Sequence, residues 1–336
     1  MVRRSASTTI TDVASHAGVS PATVSRVMNG RFLGEPSVAE RVRAAADELG
    51  YSPSPLARSL ALGETRTIAF LVPDLGNPAF QAVLSGLTKT AARDGYRVLI
   101  ADSGESPDDE APLALEIRRR CDSIVLCAPR MPEEQLLEIA PSLHPLVLIN
   151  RPTPRISAPS LAIDYESGIQ NIAHHLASLG HRHLVYLAGP ERSVSNTYRL
   201  RGLESFERAV PELRIDRMPG GVRPEDGVAA APAVQASGAT AAIAYNDLVA
   251  VGLVNGLIER GVRVPEDVSV TGFDDIPFSR YTTPPLTTAS VPHEELGVQA
   301  WRRLSALIGG TAPEHNVMFQ PRVEVRGSTG PAPSAH

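Results

Sequence analysis

Between positions 20 and 29 the chain sets Ser20, Pro21, Ala22, Thr23, Ser25, Arg26 and Asn29 around three apolar residues, Val24, Val27 and Met28. On a helix the two groups separate. The apolar three face inward and the rest form a small, polar, cationic surface. That surface has the chemistry of a DNA reader: small residues at the helix start permit close approach, and hydroxyls, an arginine and an asparagine can meet base edges and phosphates. A solvated face on an ordinary helical pair has the same polarity, but it does not require the stops and caps that flank this one.

Thr9 and Asp12 stand three apart and can each bond the other's backbone N–H, starting a helix with Ile10, Val13, Ala14 and Ala17 on one side and Thr11 on the other. Gly18 breaks it. Ser20 is an N-cap, Pro21 fits the first helical position, and Gly30 stops the second helix after about Asn29. Two short helices separated by about three residues predict a helix-turn-helix. A third helix is expected from Pro36 to Leu49, apolar at Val38, Val42, Ala45, Ala46 and Leu49, and closed by Gly50. Beyond the extended Tyr51-Ser-Pro-Ser-Pro stretch, Ser54 caps a short fourth helix through Leu60. With fewer than the roughly 12 residues an isolated helix needs, it orders only against a partner.

Charge divides the same way. The 336 residues carry a net −5, yet the first 62 hold seven arginines and five carboxylates, +2, which leaves −7 for the remainder. Nucleic-acid chemistry therefore belongs to the N-terminal part. From Thr65 onward short apolar runs (68–72, 98–101, 124–127, 146–149, 184–188, 241–245 and 268–272) alternate with helical stretches such as 80–94, 168–179 and 247–260, each ended by glycine. This pattern predicts parallel α/β units, whose ligands sit beyond the C-terminal strand ends. Cys121 and Cys127 lack metal or redox spacing and are expected to be buried thiols. His174, His175, His181 and His183 show no ligand geometry, so no metal or other cofactor is expected. No nucleotide fingerprint or catalytic triad is present, which argues against an enzyme. No run approaches about 18 apolar residues, so no membrane span is expected. The Gly, Pro, Ser and Ala rich tail from Gly327 is expected to fray.

Taken together, Thr9 to Gly30 and Ser54 to Leu60 resemble the lactose repressor/galactose repressor (LacI/GalR) family of transcriptional regulators, over nearly the whole length. The resemblance implies an all-α helix-turn-helix head with a hinge helix, followed by a two-lobed α/β effector domain like that of periplasmic binding proteins, with two parallel sheets. Residues 1–52 would be the DNA-binding domain, 53–63 the hinge, 64–330 the effector and dimerisation domain, and 331–336 a disordered tail. The first lobe would span about 64–162 and 293–320, the second about 163–292 and 321–330. Ala57 would sit in the paired hinge helices, and Leu60 would wedge a minor-groove step. Ser54 before a second proline departs from the family's usual asparagine.

By the same resemblance, effector contacts fall at Asn77, Phe80, Asn150, Arg151, Ser193, Ser195, Thr197, Asn246 and Asp274. Asp275 would be structural, and Arg199 a loop brace or a further cation. Thr197 stands where sugar-responsive members commonly have arginine. Amides, hydroxyls and a carboxylate suit the hydroxyls of a sugar or sugar derivative. The expected protein is a homodimeric, effector-controlled repressor on a pseudo-palindromic double-stranded operator, in the cytoplasm on the nucleoid. The chain ends soon after residue 329 without a heptad tail, which favours a dimer over a tetramer. An activator or co-repressor-dependent regulator of the same fold stays open, and so does a solute-binding module.

Overall fold

The computed structural model describes residues 8–52, 63–313 and 316–333. The chain divides into two compact units, residues 1–66 and 67–336. Ser54, Ala57 and Leu60, the expected hinge contacts, lie outside the described residues.

In the first unit, α1 (Ile10–Ala17), α2 (Pro21–Met28) and α3 (Pro36–Glu48) close around Val13, Ala14, Ala17, Val24, Val27, Val42, Ala45 and Ala46. Val13, Val24 and Val42 are completely buried at the centre. A core this small allows only short helices with sharp ends. The capping box at Thr9 starts α1, and Gly18 (φ 65°) ends it in the left-handed region. Gly30 (φ 70°) turns the chain after α2 in the same way, where a residue with a Cβ would be strained.

The second unit holds two six-stranded sheets. The first contains β1 (Thr67–Val72), β2 (Arg97–Asp102), β3 (Ser123–Cys127), β4 (Leu146–Ile149), β5 (Ser160–Ile163) and β11 (Val317–Phe319), in the order β11-β5-β4-β3-β1-β2 and parallel throughout. Helices α4 (Pro78–Arg93), α5 (Pro107–Arg118) and α6 (Glu133–Leu143) connect its strands. The second contains β6 (His183–Ala188), β7 (Arg214–Pro219), β8 (Ala241–Ala244), β9 (Ser269–Asp274), β10 (Thr287–Ser290) and β12 (Arg322–Glu324), in the order β12-β10-β9-β8-β6-β7. Its helices are α7 (Tyr165–Ser178), α8 (Val194–Ala209), α9 (Pro224–Ser237) and α10 (Asp247–Glu259). β12 pairs antiparallel with β10, Ala289 opposite Val323, so this sheet is parallel except at one edge.

The central strands β3, β4, β8 and β9 are buried along their whole length, the mark of sheets covered on both faces. The chain crosses between sheets after β5, after β10 and between β11 and β12. α11 (His293–Ile308) follows the second crossing and lies against α4. Their backbones approach very closely: a Cβ on Gly86 would stand 2.0 Å from the Glu294 carbonyl oxygen, and one on Gly297 2.0 Å from that of Val83.

Two expectations need revision. The tail is bonded well past Gly327: the Ser328 hydroxyl donates to the Val270 carbonyl (2.6 Å), and the Ala332 N–H donates to that of Leu179 (2.8 Å). Turn-forming composition here serves an edge that needs partners, and the sheet supplies them. β5, β7, β10, β11 and β12 extend the seven expected runs, because short or half-exposed edge strands such as Arg214–Pro219 carry little apolar signal. Both thiols are buried, which pushes Cys121 up to about 11 and Cys127 up to about 12.

Candidate functional site

The first surface is the outer face of α2. The Ser20 hydroxyl accepts from the Thr23 N–H (3.1 Å), so the helix opens at Pro21 with small residues foremost. Pro21, Ala22 and Arg26 are exposed, and Thr23, Ser25 and Asn29 are half-buried. Arg26 has no bonded partner among the described residues, which leaves its guanidinium free for phosphate or base. Asn29 donates weakly to the Ser25 hydroxyl (3.4 Å), and its carbonyl oxygen is buried without a partner. Thr9 and Thr11 are exposed at the start of α1. The Thr9 N–H and hydroxyl bond the Asp12 carboxylate at 2.8 and 2.7 Å and hold it below its usual range.

The second surface is a cleft where the C-terminal strand ends of both sheets meet. Loops after β1, β2, β3 and β4 supply Asp74, Asn77, Phe80, Glu105, Ala128, Arg130 and Asn150. The second sheet's side supplies Tyr165, Ser195, Arg199, Val222, Tyr245, Asn246 and Asp274, and α11 adds His293. The backbone is strained here. Glu105, Ala128, Asn150 and Asp274 all have positive φ (60°, 50°, 55° and 112°), a conformation that non-glycine residues keep mainly where surrounding structure imposes it at functional sites.

Most polar groups at the rim are already paired. Glu105 holds Arg130 through two bonds (2.7 and 2.9 Å), and Arg130 reaches the Ser193 hydroxyl across the cleft (3.4 Å). Ser193, Ser195 and Tyr245 form a closed triangle of hydroxyls at 2.8 to 2.9 Å. The Asn246 amide donates to the Val222 carbonyl (3.0 Å) and accepts from the Val249 N–H (2.9 Å), capping α10.

The inner wall is different. Arg199 is only 2% exposed, and its Nε and Nη1 have no hydrogen-bond partner among the described residues. Its guanidinium lies 4.1 to 4.6 Å from the ring centres of Phe273, Tyr165 and Tyr245, a cage that attracts a cation and satisfies none of its N–H groups. The Asn150 Oδ1 and His293 Nε2 are likewise buried and have no partner among the described residues. Asp274 stands 3.7 Å from His293 Nε2. Buried polar groups are normally satisfied, so orphans collected around one cleft mark a place for a polar ligand.

Six of the nine expected effector residues line this cleft: Asn77, Phe80, Asn150, Ser195, Asn246 and Asp274. The other three turn elsewhere. The Arg151 guanidinium donates to the carbonyls of Pro129 and Met131 and braces the β3–α6 loop. Ser193 caps α8 inside the hydroxyl triangle, and the exposed Thr197 bonds back to the Ser193 carbonyl. Asp275 is structural, held by Arg326 (2.5 Å) and Ser279 (3.1 Å). Arg199 lines the cleft rather than only bracing a loop. Arg130, Tyr245 and His293 line the cleft without any local sequence signal, since nothing nearby in the chain distinguishes them from core or surface residues. The four histidines have separate surroundings: His174 meets Phe206 edge-on, His175 bonds Thr329, His181 bonds Thr240 and Ser269, and His183 bonds Asp216.

Known proteins match both surfaces. Residues 9–54 match the description "bacterial regulatory proteins, lacI family", and residues 173–329 match a periplasmic binding protein-like domain. The HTH-type transcriptional repressor CytR of Escherichia coli K12 is 32% identical over 334 residues, covering 97% of each chain. The HTH-type transcriptional regulator MalR of Streptomyces coelicolor is 33% identical over 345 residues, covering 97% of this chain and 98% of its own. Among solved structures, the lac repressor dimer bound to operator and the anti-inducer ONPF superposes with a TM-score of 0.85 at 26% identity, covering 97% of this chain and all of the other. The cellobiose complex of the regulator CelR follows the same fold (TM-score 0.69, 28% identity, 96% and 99% covered). With a helix-turn-helix and a two-sheet cleft on one chain, and relatives aligned from end to end, this protein belongs to the LacI family of DNA-binding transcriptional regulators.

Proposed function

We propose that the protein is a homodimeric repressor that reads a pseudo-palindromic operator through α2, with its hold on DNA set by a small sugar-like effector in the cleft. Arg199 carries this reading. A guanidinium buried in an aromatic cage, with two nitrogens unsatisfied, is poorly explained as scaffold and well explained as a ligand's partner. The lac repressor bound to the anti-inducer ONPF and CelR bound to cellobiose support the class.

On this proposal Thr9, Thr11, Ser20, Pro21, Ala22, Thr23, Ser25, Arg26 and Asn29 contact DNA. Ser54, Ala57 and Leu60 belong to a hinge in 53–63, and the 64–330 segment binds effector and dimerises. Such a protein works in the cytoplasm, on the nucleoid. The effector shifts the lobes, and the lobes shift the spacing of the paired hinges, so coupling runs through a bistable element.

The test is direct. An operator is selected from random DNA with the full-length protein, and affinity is followed by fluorescence anisotropy while sugars are titrated. A sugar-dependent fall in affinity is expected. A rise would make the protein co-repressor-dependent, and sugar binding without any change in operator affinity would contradict the proposal.

A further inference from the structure

We infer that His293 is a specificity-determining residue which, with Asp274, grips one hydroxyl of an uncharged polyol, and that the cleft discriminates against the phosphate ester of the same sugar. This rests on reading the cleft as the effector site. His293 opens α11, lines the cleft and is 9% exposed; its Nε2 is buried and has no hydrogen-bond partner among the described residues. Asp274 closes β9 of the other sheet, is 7% exposed, and receives no hydrogen bond among the described residues. The 3.7 Å between His293 Nε2 and Asp274 Oδ1 is too long for a hydrogen bond. A hydroxyl set beside that gap can accept from His293 and donate to Asp274 at once. It would be held from both sheets, so only a closed cleft satisfies it.

Charge decides the class of ligand. Glu105 already neutralises Arg130. The charges left facing the ligand are one cation, Arg199, and two carboxylates, Asp74 and Asp274. Glu294 beside His293 is paired with Lys89, and Asp275 beside Asp274 is paired with Arg326. A phosphate would meet two carboxylates for one cation, whereas a polyol can accept from Arg199 and donate to Asp274 without adding charge. The neutral sugar is therefore favoured.

The test measures binding of D-ribose, D-glucose and cellobiose, each beside its monophosphate ester, to the full-length protein by calorimetry and thermal shift. At least one neutral sugar should bind, its ester about tenfold or more weaker. His293→Phe should weaken that sugar about tenfold, the loss of one hydrogen bond in a buried charged site, and His293→Gln, which keeps a donor, should recover most of it. Unliganded melting temperatures report folding. Equal affinity in His293→Phe, or Gln failing as badly as Phe, overturns the role of His293 while the cleft stands. Tighter binding of an ester overturns the uncharged class. If neither sugars nor esters bind the wild-type protein, the effector reading of the cleft falls, and this inference with it.

Discussion

Arg199 owes its position to aromatic faces rather than to a carboxylate. Three rings within 4.6 Å stabilise the cation by about 0.5 to 2 kcal/mol each, against several kcal/mol for burying an ion and about 1 to 3 kcal/mol for each unsatisfied donor. The balance leaves it a liability until a ligand completes its bonds. Arg199→Met should therefore leave the unliganded melting temperature unchanged or higher in calorimetry while abolishing the sugar response; a fall of several degrees would show a structural brace instead. Arg26 is the reverse case, exposed and unpartnered among the described residues. Arg26→Ala should lower operator affinity and reduce the slope of log affinity against log salt by about one if it contacts a phosphate. Unchanged affinity together with an unchanged slope would remove it from the interface.

At the scale of elements, the cleft depends on two helices that cannot move apart independently. α4 begins at the Asn77 cap and carries Phe80, and α11 begins with His293. They meet where Gly86 and Gly297 each admit the other's backbone. Gly86→Ala must push the pair apart and should destabilise the protein by about 1 to 3 kcal/mol in urea unfolding, weakening effector binding in parallel; a stability within error of wild type would show that the pair tolerates the shift. Elements with local punctuation could be read from sequence. Thr9 with Asp12, Ser20 with Pro21, and Gly18, Gly30 and Gly50 place α1 to α3 within a residue or two, because caps and stops act over three or four positions. The cleft was legible only in part. Strand-end loops could be named, but whether Arg151 turns inward or Arg199 does depends on carbonyls and rings brought from distant segments. Short edge strands such as β11 and β12 exist only because a neighbouring strand pairs with them.

Across the whole molecule, buried acids should tie stability to pH. Asp247 heads α10 and is completely buried; burial, then the nearby Asp274, pushes its carboxyl well above the usual range, although Thr288 and the Ile276 N–H bond it. Burial raises Glu110 as well. A carboxyl raised in the folded state holds its proton where the unfolded chain has released it. Its contribution is full below the ordinary carboxylate pKa and is lost as pH climbs through the raised value. Urea unfolding from acid to neutral pH should show that decline, and Asp247→Asn should flatten it; parallel pH profiles for the two proteins would contradict the assignment.

On the proposed function, one chain couples a DNA-reading helix to an occupied or empty cleft. That coupling appears as operator affinity measured with and without saturating sugar, in wild type and Asp274→Ala side by side. A change of about five- to 150-fold is expected in the wild type and none in the variant. A wild type that binds the sugar yet holds its operator equally tightly in both states would contradict it.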